Sequence, residues 1–201
     1  MIGRTIALLL SATALLSPPV IRESGASTSG PEFTTGGELK LPEGYREWVY
    51  LTSGFDMSYN PSMQMGNQHM FDNVFVNPEA YKAFVNTGTW PDKTILVLEG
   101  RAAQGKGSIN QRGNFQGGVM DLELHVKDET RFPGKWAFFA FGGEKTAKAI
   151  PTAAGCYSCH AQHAAVDTTF VQFYPTLLPI AKEKRTLSAS YLTEEATPVN
   201  R

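Results

Sequence analysis

Residues 119–126 alternate cleanly, with Asp121, Glu123 and His125 on one side and Leu122, Leu124 and Val126 on the other. A period of two is that of a strand with one packed face and one wet face, which gives His125 a solvated role. Residues 45–52 are aromatic and β-branched and predict a strand, as do residues 70–76. Residues 94–99 form a nearly continuous apolar strand, and residues 136–141 an unusually aromatic one. Asn77-Pro78-Glu79 opens a helix with an N-cap, a proline in the first turn and an acidic residue, and Gly88 suits its left-handed C-cap. Residues 54–68 and the Gly-rich residues 103–118 read as loops. From Pro151 onward the pattern turns helical, around residues 156–163 and again over 176–184. Strands first and helices later predict an α+β fold, an antiparallel β-sheet with packed helices in a single domain.

The two ends read differently. Arg4, the apolar run of residues 6–16, Pro18-Pro19 and the small residues around Ala26 have the layout of a secretory signal. The run is shorter than the ~20 residues of a membrane span. The expected division is a signal peptide over 1–26, a linker over 27–40, a domain over 41–185 and a flexible tail over 186–201, with the mature protein periplasmic. At 201 residues and a net charge of −1, the chain has no excess of Lys and Arg to displace counterions, so nucleic acid is not an expected partner.

The only two cysteines stand at Cys156 and Cys159, too close together for a disulfide framework. With the next residue they make Cys156-Tyr157-Ser158-Cys159-His160, a complete C-x-x-C-H. Two thiols at this spacing can add across the two vinyl groups of one haem, with the adjacent histidine as axial ligand of the iron. A thioredoxin-type pair would follow a strand in a βαβ unit, which this region lacks. Zinc on Cys156, Cys159, His160 and His163 would crowd four ligands into about two helical turns. Covalently bound haem c is therefore the expected cofactor, one per chain, held by Cys156, Cys159 and His160.

Other candidates are weaker. Gly100, Gly105 and Lys106 nearly match a phosphate-binding loop, but Gly107 stands where Ser or Thr is needed and no helix follows. His163 lies one turn beyond His160 and cannot share its iron. A sixth ligand could come only from His69 or from Met57, Met63, Met65 and Met70, and a methionine in such a loop is more often a gap-filler.

Several blocks together resemble the family of cytochrome P-460 and its relative cytochrome c′-beta, over residues 41–181. They are Leu41-Pro42 with Tyr45-Arg46 and Trp48-Val49, then Val74-Phe75-Val76-Asn77-Pro78 with Tyr81. Thr87-Gly88, Trp90-Pro91-Asp92 and Thr94 follow, then Lys135-Trp136-Ala137-Phe138-Phe139, the C-x-x-C-H, and Phe173-Tyr174-Pro175. The resemblance implies an antiparallel sheet packed with helices, a homodimer, and a haem on His160 whose sixth position is open to nitric oxide. The cytochrome P-460 branch oxidises hydroxylamine and depends on a lysine cross-linked to the porphyrin, in the helix that runs into Thr87-Gly88. Here Val85 and Asn86 precede Thr87, and Lys82 lies about a turn too early. The expected function is therefore binding of nitric oxide or a related nitrogen oxide, with a redox protein as partner. The alternatives are hydroxylamine oxidation and plain electron transfer.

Overall fold

The computed structural model describes residues 30–59 and 68–197. Five antiparallel strands form one sheet in sequence order: β2 (Val49–Phe55), β3 (Met70–Val76), β4 (Ile95–Gln104), β5 (Phe115–Lys127) and β6 (Trp136–Ala140). A two-stranded ribbon pairs β1 (Leu39–Lys40) with β7 (Thr146–Ala147). Four helices complete the α+β fold: α1 (Pro78–Thr87), α2 (Gly155–His163), α3 (Leu178–Lys184) and α4 (Ala189–Ala196). No helix among the described residues is long and apolar enough to cross a membrane.

The expected strands and helices are present with shifted ends. Residues 45–47 form a 3-10 turn before β2, and β4 and β5 run on into the stretch expected to be loop, leaving only residues 105–114 as their connection. The phosphate-loop candidate is thereby resolved, because Gly100 sits inside a strand. Helix α1 starts at Pro78 and ends with Gly88 at φ 76°, its N–H donating to the Phe84 carbonyl at 2.7 Å. Asn77 does not cap the helix with its side chain; its Oδ1 accepts from the Ile95 N–H at 2.8 Å and stitches the helix start to β4.

The sheet is packed on both faces. One core joins Leu39, Tyr45 and Trp48 to Val97, Leu124 and Phe139, and the other joins Val76, Leu96, Phe84 and Trp90 to Val171, Leu177 and Tyr191. Each such large apolar side chain, once buried, contributes roughly 1.5–3 kcal/mol.

Two expectations about the ends need correction. The described part of the expected linker is folded: Phe33 packs its ring near Phe132 and Phe139, Arg131 lies 3.8 Å over it, and Leu39 is fully buried. The expected tail carries α4, started by Ser188, whose hydroxyl accepts from the Tyr191 N–H at 3.2 Å and donates to the Ala164 carbonyl at 2.7 Å. Tyr191 is buried in the core, so the packed body runs to this helix. The expected signal peptide lies outside the described residues.

Candidate functional site

Helix α2 carries the C-x-x-C-H and has none of its nine residues fully buried. It is fastened by Tyr157, a residue the sequence reading passed over as spacer. The Tyr157 hydroxyl donates to the Ile150 carbonyl at 3.0 Å and accepts from the Phe138 N–H at 3.3 Å, with its ring edge-on to Phe138 at 4.8 Å. One face of α2 then looks into a cavity of about 360 Å³ whose other wall is the sheet.

Cross-strand register builds that wall in three rows. The innermost runs Val76, Leu96, His125, Phe138; the next Thr52, Val74, Leu98, Glu123; the outermost Gly54, Asp72, Gly100, Asp121. Cys156 and His160, four residues apart on one helix face, both line the cavity. Cys159 opens onto an adjoining groove that shares Tyr59, Phe170 and Phe173 with it. Both thiols are half-buried and unbridged.

His160 is oriented for ligation. Its Nδ1 donates to the Thr168 carbonyl at 2.7 Å, which leaves Nε2 as the nitrogen able to bind a metal. Phe170 and Phe138 flank the ring at 4.2 and 4.6 Å. Burial pushes its pKa down against the opposing pull of the Thr168 carbonyl, a shift toward the neutral ring that metal ligation requires. The turn that presents Thr168 is pinned on both sides. Lys127 donates to the Trp90 carbonyl at 2.7 Å and reaches Asp167 at 3.5 Å, while the Trp90 indole N–H donates to the Thr169 hydroxyl at 2.7 Å.

One thiol and one imidazole on a single helix face, looking into an aromatic cavity, fit a haem pocket better than a metal cage. Among the described residues no three His, Cys, Asp or Glu side chains gather as a metal site. His163 is turned away, its Nδ1 3.0 Å from Glu194. A sequence model of the cytochrome P460 family matches residues 42–171. The chain belongs to the cytochrome P460 family. No curated protein matches the chain. Membership implies a haem cofactor for this cytochrome P460 protein.

Not every residue lies where the sequence placed it. His125 is not solvated: the face it shares with Asp121 and Glu123 is the cavity wall. Its ring is 8% exposed, stacks on Phe138 at 4.0 Å and sits 4.4 Å from Trp136. Burial, with His160 adding to it, pushes its pKa well down. The alternation was correct, and α2 with the segment after it covers what would otherwise be the wet face. Of the sixth-ligand candidates, Met57 lines the cavity, whereas His69 is engaged by Asp56 at 2.6 Å and stacks on Phe55. Met63 and Met65 lie outside the described residues. Lys82 is exposed on α1, away from the cavity.

The cavity also holds bases that the sequence reading did not assign to it. Asp72, Asp121 and Glu123 line its outer end, and none is paired with a cation among the described residues. Burial first, and then Asp121 and Asp72, pushes the Glu123 carboxyl above its ordinary value; burial, then Asp121 and Asp56, does the same to Asp72. Gly100 makes this convergence possible. It stands between Asp72 and Asp121 across the strands, and a Cβ there would overlap Asp121 Oδ1.

Proposed function

We propose that this is an exported mono-haem c protein, tethered through Cys156 and Cys159, with His160 as the axial ligand and the remaining coordination position open to nitric oxide or a related nitrogen oxide. The observation that carries the reading is the pairing of His160 Nδ1 with the Thr168 carbonyl inside a cavity that Cys156 also lines. Haem iron supplies reversible one-electron chemistry and affinity for neutral diatomic ligands. The chain supplies the rest. Phe138, Phe170, Leu96 and Leu98 keep water from the inner end, and Met57 and Tyr59 stand at the cavity border. A homodimer that exchanges electrons with a protein partner in the periplasm completes the reading.

Hydroxylamine oxidation is the second reading, and the carboxylates favour it. With pKa values raised, Glu123 and Asp72 are suited to accept protons from an N–H substrate. Against it, none of the cavity-lining residues among those described is a lysine, and residues 60–67 contain none. The purified holoprotein separates the readings. Haem should resist acid acetone, the mature mass should lack the first 26 or so residues, and the haem peptide should carry two thioethers and no lysine. The ferrous spectrum should be high-spin and respond to nitric oxide, with slow turnover of hydroxylamine. Extractable haem would remove the central claim. A red-shifted ferrous Soret band with a lysine-bearing haem peptide would give the case to the second reading, and a low-spin ferrous spectrum would give it to electron transfer.

A further inference from the structure

Thr168 meets two histidines with two different atoms. Its carbonyl oxygen accepts from His160 Nδ1 at 2.7 Å, and its hydroxyl lies 3.2 Å from His125 Nε2. The two ends of this link differ in rigidity. His125 stands in the middle of the sheet, paired with Leu96 and Phe138, and its ring lies at 12° to the Phe138 ring. Thr168 stands in a tight turn after Asp167, which has φ 52°. The Trp90 and Lys127 contacts hold the residues on either side of Thr168, and the His125 contact is the one made by the Thr168 side chain itself. Either direction of that hydrogen bond ties the turn to the sheet.

His125 has no comparable claim as an iron ligand. Its ring meets His160 edge to face, with centroids 5.2 Å apart at 77°, and a porphyrin cannot pass between rings in such contact. We propose that His125 is a positioning residue: through the Thr168 hydroxyl it keeps the Thr168 carbonyl on His160 Nδ1 and so sets how strongly His160 donates to the haem iron. The inference rests on His160 being that ligand. An axial imidazole that donates its second N–H to a fixed acceptor is a stronger base toward the metal, which favours the ferric state. Loosening the carbonyl weakens the ligand and favours the ferrous state.

The test uses the haem-loaded protein and two variants, Thr168→Val and His125→Phe. Both should move the reduction equilibrium about tenfold toward ferrous haem, ~59 mV upward for a one-electron couple, and lower the iron–histidine stretching frequency. Thr168→Ser, which keeps the hydroxyl, should restore both. Glu194→Gln, which removes the charge from the His163 contact on the same helix, should leave both at their wild-type values. If His125→Phe does not fold, Thr168→Val carries the test, because it exchanges one hydroxyl for a methyl. Wild-type potential and stretch in Thr168→Val would overturn the proposal. A shift of the same size in Glu194→Gln would also overturn it, by making the effect general to α2. A wild-type ferrous protein with no iron–histidine band would instead sink the assignment of His160, a failure that is visible before any variant is made.

Discussion

Glu99 and Glu123 stand on neighbouring strands and face opposite sides of one sheet, and the protein treats them in opposite ways. Glu99, 2% exposed, accepts from Tyr45 and Arg101 and from Arg46 Nε at 2.8 Å. Burial opposes its ionisation, but the donors outweigh burial and hold its pKa below the usual carboxylate range. Burial, and then the contact with Glu99, push the Tyr45 hydroxyl up to about 12 against the pull of the two arginines. Glu123 faces the cavity with Asp121 and Asp72 as its charged company among the described residues, and its pKa goes up. A carboxylate used to hold strands together is given every donor it can accept. One left short of donors beside a cofactor cavity is available to whatever enters.

The largest expected effect is at the satisfied end of this comparison. Glu99→Ala should cost about 3 kcal/mol in chemical denaturation, because it strands Arg101 and the Tyr45 hydroxyl without their acceptor. A loss below 1 kcal/mol would show that the cluster is not structural. Next comes Gly100→Ala, expected to cost about 2 kcal/mol by driving a methyl into the Asp121 carboxylate. Adding Asp121→Ala to that variant should recover most of the loss, and a double mutant no better than the single one would refute the steric account.

Glu123→Gln with Asp121→Asn should change stability by less than about 1 kcal/mol. It should instead tighten azide binding to the ferric protein about fivefold, since removing charge at distances on the order of 10 Å relieves roughly 1 kcal/mol of repulsion. Nitric oxide, being neutral, should bind as before, and equal changes for both ligands would remove the electrostatic explanation. The smallest effect is in the pH dependence of stability. Glu123 and Asp72, raised above their ordinary 4.5 and 3.8, contribute stability that is complete below those values and lost as pH rises through their folded pKa. Glu99, lowered from 4.5, contributes stability present above that value and lost as pH falls through its folded pKa. Denaturation midpoints should therefore rise slightly from neutral to mildly acidic pH and then fall. In Glu123→Gln the rise should shrink while the acid-side fall stays.

The C-x-x-C-H motif was legible because it is local: Cys156, Cys159 and His160 lie within one helical turn and a half. The strand pattern was legible for the same reason, and the helix from Pro78 to Gly88 was closed by its own terminal residues. His125 shows where that legibility stops. Its period-two position placed it on the correct face, but what covers that face arrives with residues 156–174, far along the chain. Thr168 acts through a backbone carbonyl, which any residue has, so no side-chain pattern could flag it. Residues 30–40 and α4 looked like linker and tail because they bring few apolar residues. Phe33, Leu39 and Tyr191 suffice to anchor them, since each enters a core that is already formed.

Helix α2 is held by Tyr157, by the His160–Thr168 contact and by its side toward α4, where His163 meets Glu194, with no fully buried side chain of its own. With haem held as proposed, the porphyrin would be its apolar partner, a piece of the hydrophobic core delivered after translation. Backbone amides of this helix should be among the fastest to exchange with deuterium before haem is attached, and among those most slowed afterward. An enzyme that attached haem to the two thiols would thus find them on a helix that has no fully buried side chain.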